Sequence, residues 1–380
     1  MTNFSQLNKM SADKDNRSAR QLIIIQVSME IVNIPTLHKP AVYLPEYIIS
    51  QQDTINLART NFKDNPNLEK SIELIINTGV MKRHIIQPIK LATLHPGFGY
   101  RNAVFEYESK RLVPSVVEQA LNNAAASASQ IAAIIYVSCS GFLMPSLTAW
   151  LINHMGLPDN TMQLPIAQLG CATGGSAINR AHDYVLAHPG SNVLIISCEF
   201  CSLSYQPTDG DVGSLLSDRL FGDAISAAVV TAEPGEGLSL ERNASYLIPE
   251  TDEWIRYQVK DTGFHFRLDK RVPGTMKPLA PVMRQLACDH GWDIENLAYC
   301  IIHAGGQRIL DDLAKYLRVD LEQFSFSRDT LANCGNIASS VVFEAYRRMH
   351  EKGIFARGGK AIIAGFGPGI TAEMSLSQWI

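Results

Sequence analysis

Three polar residues, Cys171, His303 and Asn336, stand in surroundings that suit acyl-transfer chemistry. Cys171 follows an apolar run and opens a predicted helix in the segment Leu169–Ser176. The partial positive charge of a helix N-terminus favours thiolate over thiol, and its free N–H groups can hold an oxyanion. His303 ends a predicted strand in front of Ala304-Gly-Gly306, and Asn336 begins a predicted helix. Taken singly, a core cysteine, a satisfied core histidine and a helix N-cap would each explain one of them.

An internal duplication makes it harder to explain all three residues by packing. The segments Ile134–Gly141 and Tyr299–Gly306 each run from an apolar strand into a polar residue and a glycine turn. Their offset of 165 residues also separates Cys171 from Asn336. A repeated unit of this size indicates two fused halves, with the polar groups at symmetric strand ends where the halves meet.

Apolar β-rich runs alternate with helical segments, which indicates an α/β layered fold. The predicted buried strands are Ile131–Val137, Asn192–Ile196, Ala298–Ile302 and Lys360–Ala364. The predicted helices are Ser115–Ala126, Ser176–Leu186, Ala280–Cys288 and Ala338–His350.

Three segments are predicted along the chain. Residues 1–30 are predicted to be a disordered N-terminal extension, because their first part is polar, mixed in charge and without apolar periodicity. Residues 31–235 form the half that carries the cysteine, and residues 236–380 form the half that carries the histidine and asparagine. The boundary falls near Glu233–Gly237.

Composition excludes several classes of function. The chain has 380 residues, of which 46% are hydrophobic, so it can bury a large core. A formal net charge of -4 without a Lys/Arg run gives no footprint for nucleic acid or a membrane surface. No apolar run approaches the roughly 18 to 20 residues that a membrane-spanning helix needs. We therefore expect neither nucleic acid nor a membrane as a partner.

The cysteines favour a reducing compartment, so we expect a cytoplasmic protein. Seven cysteines in a chain of this length are too sparse for a disulfide scaffold. Cys198 and Cys201 form a CxxC without a second pair of ligands, so buried core thiols are favoured over a zinc or redox site. The order Cys, His, Asn also occurs in papain-like proteases, but the sequence around Cys171 lacks their signature and the duplication has no place in their fold.

Further motifs carry a resemblance to a known family. The segments around Cys171, Ile302–Gly306, Gly335–Ser340 and Gly365–Glu373 resemble type III polyketide synthases, the chalcone synthase superfamily. The resemblance extends from about Ile31 to Trp379. It implies a thiolase-like fold, with duplicated βαβαβ halves in a five-layered αβαβα arrangement.

The resemblance also implies an activity and its residues. Cys171 takes the acyl group as a thioester, while His303 and Asn336 promote decarboxylation of malonyl-CoA and stabilise the enolate that attacks the bound chain. The implied enzyme is an acyltransferase that condenses about five malonyl units into an aromatic product. No metal or organic cofactor is implied, because malonyl-CoA is the substrate.

Additional positions match residues that shape the family's cavity. Phe221 and Phe266 match gatekeeper phenylalanines between the CoA tunnel and the cavity. Met144 matches a methionine that reaches into the partner's cavity, which implies a homodimer. Cys139 matches a second active-site cysteine of the naphthalene-forming bacterial members. Tyr257 matches the tyrosine associated with malonyl as the starter.

Two further pairs of residues have counterparts in the family. Lys82 and Arg83 lie where the family binds CoA phosphates, and solvated surface charges are the ordinary alternative. Ser204 stands where close relatives have cysteine, and Ala338 stands in the cavity lining where plant relatives have serine. These departures affect the expected chain length and product, not the reaction class.

The sequence disfavours three alternatives to this function. A related synthase primed by a fatty acyl-CoA would make alkylpyrones or alkylresorcinols, and Tyr257 and Cys139 argue against it. A ketoacyl synthase III should lack the Phe266 region and the Gly365–Glu373 signature. A catalytically silent scaffold is disfavoured because all three candidate catalytic residues are present.

Overall fold

The computed structural model describes residues 34–380, except residues 95, 208, 211, 354 and 355. The predicted disordered extension, residues 1–30, lies outside the described residues. The strands are β1 (Thr36–Leu37), β2 (Ala41–Tyr43), β3 (Tyr47–Ser50), β4 (Lys82–Ile85), β5 (Ile131–Val137), β6 (Met162–Ile166), β7 (Asn192–Phe200), β8 (Asp223–Thr231), β9 (Leu238–Leu247), β10 (Ile255–Lys260), β11 (Gly263–Leu268), β12 (Tyr299–Ile302), β13 (Lys360–Gly367) and β14 (Thr371–Trp379).

The α-helices fall between these strands in the alternating order expected of an α/β fold. They are α1 (Gln51–Asn61), α2 (Leu68–Asn77), α3 (Ile89–Ala92), α4 (Phe98–Asn123), α5 (Leu147–Met155), α6 (Thr173–Ala187), α7 (Val212–Leu220), α8 (Met276–Asp289), α9 (Gln307–Leu317), α10 (Ser325–Cys334) and α11 (Val341–Lys352). In the part of the chain that the structure describes, no helix is long and apolar enough to cross a membrane.

The strand pairing repeats from one half to the other. In the first half, β7 pairs in parallel with β5 and antiparallel with β8, and β8 pairs antiparallel with β2. In the second half, β13 pairs in parallel with β12 and antiparallel with β14, and β14 pairs antiparallel with β9. The short strand β1 pairs with both β8 and β9 and so joins the halves. The structure therefore confirms the duplication.

The core is divided into layers. One cluster of buried residues joins α6 and α11 to the inner faces of the strands from both halves. A second cluster packs α4 and α5 on the outer face of the first half, and a third packs α8 and α9 on the outer face of the second half. Two helical outer layers, two strand layers and one central helical layer give the expected αβαβα arrangement.

Most predicted elements are confirmed, with differences at their ends. The strand Ile131–Val137 is found as predicted, whereas β7 and β13 continue beyond their predicted ends. The helix predicted at Ser115–Ala126 begins much earlier, at Phe98, and Pro114 lies inside it. Proline removes one hydrogen bond and usually interrupts a helix. Here Val113 and Val117 on either side are fully buried, so packing keeps the helix continuous.

Candidate active site

Cys171 lies in a short 3-10 turn, Gly170–Ala172, that leads directly into the central helix α6. Gly170 adopts a φ of +51°, and a Cβ there would lie 2.6 Å from Cδ of Pro368. The Thr173 hydroxyl donates to the carbonyl of Gly170 and closes the turn. The turn holds Cys171 at the start of the helix, as the sequence predicts.

His303 follows β12 and is held by main-chain and side-chain contacts. Its N–H donates to the carbonyl of Ala364, 2.8 Å away. Its Nε2 lies 3.0 Å from Oδ1 of Asn336. The same Oδ1 accepts the N–H of Ala338 at 3.0 Å, so the amide oxygen faces the imidazole and Nε2 carries the donated hydrogen. Nδ1 then carries the lone pair, and it is buried without a partner among the described residues.

Asn336 connects His303 with Cys171. Its amide Nδ2 lies 4.0 Å from Sγ of Cys171, on the side opposite His303. Its main chain is clamped, because its N–H donates to Leu220 and its carbonyl accepts the N–H of Gly222 at 3.0 Å. The structure therefore brings the three predicted catalytic residues together at the junction of the halves.

Burial keeps this group of side chains uncharged. Burial lowers the pKa of His303 to about 4, against the opposing hydrogen bond to Asn336. Burial also raises the pKa of the Cys171 thiol well above its usual value, and the neighbouring Cys139 and Glu199 act in the same direction. The thiolate expected from the helix N-terminus is therefore not favoured in the resting site, where a thiol and a neutral imidazole stand together.

Glu199 is a functional-site residue that the sequence analysis did not single out. It is fully buried at the end of β7, and its carboxylate accepts the N–H of Cys139 and the hydroxyl of Ser140, both at 3.0 Å. Its other oxygen accepts the hydroxyl of Ser339. Burial raises the pKa of Glu199, and these hydrogen bonds oppose that rise. In the sequence, the sign that Glu199 has a special role is that it is a charged residue within an otherwise apolar strand.

A cavity of about 480 Å³ opens beside the three residues. Its wall is largely apolar and aromatic, and Cys171, His303 and Asn336 contribute to it. The cavity lining also contains four of the residues that the sequence analysis assigned to substrate binding, namely Cys139, Phe221, Tyr257 and Phe266.

The aromatic rings of the wall pack against each other. Phe221 and Phe266 meet edge to face, with 5.3 Å between ring centroids, and Tyr257 lies 5.5 Å from Phe266. Tyr257 and Phe266 are directly opposite each other in the β10–β11 hairpin. Phe221 pairs with Asn336 through an isolated parallel bridge, so this ring is anchored to the candidate catalytic group.

Two predicted cavity residues act from behind the wall. Ser204 donates to the carbonyl of Cys201 at 2.7 Å, and its hydroxyl acts to lower the pKa of the Tyr257 phenol. Burial raises the pKa of Tyr257 well above its usual value, so the phenol remains neutral. Ala338 is buried against Cys201 and Phe221. Ser204 and Ala338 are not among the described residues that line the cavity.

The pair Lys82 and Arg83 is divided by the alternation of β4. Successive side chains of a strand face opposite sides. Arg83 faces inward and is buried, and it donates to the carbonyl of Phe221 at 2.7 Å and to the hydroxyl of Thr54 at 3.2 Å. Its guanidinium supports Phe221, and the expected contact of Arg83 with CoA phosphate stays a prediction. Lys82 is partly exposed, and its contact with CoA stays a prediction.

The remaining predicted positions lie away from the cavity of their own chain. Met144 is 85% exposed, next to the exposed Phe142. The CxxC thiols Cys198 and Cys201 are both buried, as the core-thiol interpretation predicts. No cluster of metal-binding side chains occurs among the residues described.

Comparison with known proteins identifies the class. The family model for the N-terminal domain of chalcone and stilbene synthases matches residues 40–234, and the model for their C-terminal domain matches residues 239–379. The chain belongs to the chalcone and stilbene synthase family. It is a type III polyketide synthase, an acyltransferase that performs decarboxylative condensation.

Within this family, the chain is similar to several characterised bacterial enzymes. The chain is 58% identical over 344 residues to 1,3,6,8-tetrahydroxynaphthalene synthase of Streptomyces coelicolor, covering 90% of this chain and 92% of that enzyme. It is 42% identical to phloroglucinol synthase of Pseudomonas fluorescens, covering 90% and 99% of the two chains. The crystal structure of the Streptomyces coelicolor tetrahydroxynaphthalene synthase matches with a TM-score of 0.89 and covers 90% of this chain and 99% of that one.

Proposed function

We propose that this enzyme condenses about five malonyl-CoA molecules and cyclises the product to 1,3,6,8-tetrahydroxynaphthalene. The observation that carries the product assignment is the 58% identity to tetrahydroxynaphthalene synthase along 90% of the chain. The residues that this reaction needs, Cys171, His303 and Asn336, lie together at one cavity.

Loading of the starter begins from a neutral site. Sγ of Cys171 attacks the thioester carbonyl of malonyl-CoA, and CoA leaves as the thiol. Because the Cys171 pKa is raised and the His303 pKa is lowered, the thiol gives up its proton during the attack, with the neutral imidazole of His303 as the acceptor.

Extension uses two neutral N–H donors. The Nε2–H of His303, which the resting site gives to Oδ1 of Asn336, and the Nδ2–H of Asn336, 4.0 Å from Sγ of Cys171, polarise the thioester carbonyl of the next malonyl-CoA once it is bound. Loss of carbon dioxide then leaves an enolate, which these donors stabilise before it attacks the acyl group on Cys171. Hydrogen bonds of this kind are strong in a buried site. We propose that no metal or organic cofactor takes part.

The cavity suits the proposed chain and starter. A volume of about 480 Å³ lies within the range of small-molecule sites, and the rings of Phe221, Tyr257 and Phe266 offer flat apolar surfaces to a flat product. The neutral phenol of Tyr257 can donate to the carboxylate of a malonyl starter. The alternative enzyme, primed by a fatty acyl-CoA, has no comparable support from the relatives reported above.

We also propose a cytoplasmic homodimer. The exposure of Met144 supports a partner that covers it, because a side chain of this size and polarity is seldom left in water. All seven cysteines are unpaired, which supports a reducing compartment.

The test is incubation of the purified protein with malonyl-CoA as the sole substrate, with Cys171→Ala as the control. We expect tetrahydroxynaphthalene and its red-brown oxidation product flaviolin, both lost in the variant. If the enzyme is silent with malonyl-CoA but turns over when a fatty acyl-CoA is added, the starter and product assignments are wrong.

A further inference from the structure

Strand β11 presents two different faces. Phe266 and Leu268 line the cavity, whereas the intervening His265 and Arg267 lie on the opposite face because side chains alternate along a strand. His265 is buried, although the reaction proposed above gives it no part. A buried histidine with two polar contacts behind an aromatic wall requires an explanation.

His265 lies at the centre of a chain of hydrogen bonds. Its Nδ1 is 2.8 Å from Oδ2 of Asp209, and its Nε2 is 2.6 Å from Oγ1 of Thr262. The side chain of Gln206 donates to the carbonyls of Thr262 and Phe264 at 3.2 and 3.1 Å. The loop that carries Gln206 and Asp209 is thereby tied to the β10–β11 hairpin.

A second set of contacts joins the same two elements nearby. Arg267 donates to the hydroxyl of Ser214 at 3.1 Å, and Ser214 donates to the carbonyl of Phe266 at 3.2 Å. Ser214 belongs to α7, which is followed by Phe221. The three rings of the cavity wall thus come from two elements, with Tyr257 and Phe266 on the hairpin and Phe221 after α7.

We propose that Asp209 and His265 are positioning residues that fix the rings of Tyr257 and Phe266 against Phe221 and so set how far the polyketide chain grows. The two side chains tie the hairpin to the loop before α7. Without that tie the hairpin is held near Phe221 only by the contacts of Gln206, Ser214 and Arg267, and the rings of the cavity wall can shift relative to one another. This inference rests on the proposed function, because it concerns the length of its product.

The order Asp209, His265, Thr262 resembles that of a hydrolytic triad, but the geometry points to positioning. Neither His265 nor Thr262 is among the described residues that line the cavity, so the hydroxyl has no access to the bound chain. The two contacts of the imidazole also differ in kind. Thr262 is 3 residues from His265 within the same hairpin, whereas Asp209 is 56 residues away. Only the contact with Asp209 joins separate elements.

Variants that keep one of the two imidazole contacts and lose the other test this proposal. His265→Asn keeps a donor near the position of Nδ1 and can still reach Asp209, whereas His265→Gln extends toward Thr262. His265→Ala removes both contacts, and Asp209→Ala removes the tie from the other side together with the 3.7 Å ion pair between Asp209 and Arg267. A matched control is His38→Ala, because His38 is likewise buried with its Nε2 2.8 Å from the hydroxyl of Thr231, and it does not line the cavity.

Two quantities are measured for each variant. One is the ratio of the longest product to shorter pyrones, and the other is the rate at which Cys171 is acylated by malonyl-CoA. We expect His265→Ala and Asp209→Ala each to shift the ratio about tenfold toward shorter products, as loss of a charged hydrogen bond implies. Acylation should change less than about twofold, since neither residue contacts the candidate catalytic group. The double variant that combines His265→Ala with Asp209→Ala should give the same product ratio as the single variants. His265→Asn should give a product ratio nearer to that of the unaltered enzyme than His265→Gln does.

The proposal is overturned if folded His265→Ala keeps the product ratio of the unaltered enzyme. It is also overturned if the ratio and acylation fall together, to the same extent as in His38→Ala, because that result shows a general loss of structure. If His265→Ala does not fold, Asp209→Ala and His265→Gln provide the same comparison. If the unaltered enzyme makes other polyketides, the proposed product is wrong, while the ratio of its longest product to the shorter ones still tests the tie.

Discussion

Replacing His303 with glutamine separates the two tasks assigned to the imidazole. The Nε2–H of His303 donates to Oδ1 of Asn336, and an amide nitrogen of glutamine can take over that donation. Glutamine cannot accept the proton of the Cys171 thiol, because an amide is not a base near neutral pH. We therefore expect His303→Gln to retain malonyl-CoA decarboxylation within about tenfold of the unaltered enzyme but to lose starter loading by roughly 100-fold or more.

The same variant has a defined effect on stability against pH. Burial lowers the pKa of His303 from its ordinary 6.5 to about 4, so the unfolded chain binds the proton at a higher pH than the folded chain. Stability is therefore lost as the pH falls from about 6.5 to about 4, and the full difference corresponds to about 3 kcal/mol. Glutamine does not titrate, so the variant should lose about 3 kcal/mol less than the unaltered enzyme over this range.

Three measurements test the reasoning. Release of carbon dioxide from malonyl-CoA reports decarboxylation, mass spectrometry of the intact protein reports loading of Cys171, and urea unfolding at pH 4.5 and 7.5 reports stability. Asn336→Ala serves as the control that should lose decarboxylation. Equal losses of decarboxylation and loading in His303→Gln would refute the division of tasks. An unchanged difference in stability between the two pH values would refute the neutral buried imidazole.

Three further changes probe the elements around this group. Arg83→Met should lower the free energy of unfolding in urea by about 1 to 3 kcal/mol, because it leaves the carbonyl of Phe221 without its donor. Lys82→Ala should instead raise the KM for malonyl-CoA and leave stability unchanged. Equal stability of the two variants would contradict this. Gly170→Ala should destabilise the protein by about 1 to 3 kcal/mol and slow acylation of Cys171, because residue 170 has a positive φ and the added Cβ would clash with Pro368. An unchanged melting temperature would contradict this prediction. Glu199→Gln should lower the pKa of the Cys171 thiol, because it removes a nearby negative charge. The rate of Cys171 alkylation by iodoacetamide, measured against pH, should then rise at a lower pH than in the unaltered enzyme. An unshifted pH profile would contradict this prediction.

The fold could be predicted from the sequence because the duplication carries most of the information. The offset that relates Cys171 to Asn336 specified two similar halves, and apolar runs specified their central strands. The early start of α4 could not be predicted, because Pro114 breaks a helical pattern and only tertiary burial of Val113 and Val117 overrides it. Helix ends depend on such long-range packing.

The candidate site was predictable in its membership but not in its electrostatics. The sequence placed Cys171 at a helix N-terminus, which favours thiolate, whereas burial beside Cys139 and Glu199 outweighs that effect in the structure. The inward orientation of the Arg83 side chain could not be predicted from the sequence either, because it depends on which face of β4 packs against the core. The family resemblance and the positive charge suggested a phosphate contact at Arg83, whereas the structure shows its guanidinium donating to the carbonyl of Phe221.

The uncharged state of the site follows from the architecture and suits the chemistry. His303 and Asn336 are buried where the two halves meet, so a thiol, a neutral imidazole and an amide are the polar groups that cost least there. An enolate formed beside them meets N–H donors on His303 and Asn336, and the neutral imidazole is a poor acid toward it. A permanently charged imidazolium would bind the starting thioester and the enolate more strongly, but it would also protonate the carbanion before the carbon–carbon bond forms. The lowered pKa of His303, a result of burial, therefore also favours condensation over protonation of the carbanion.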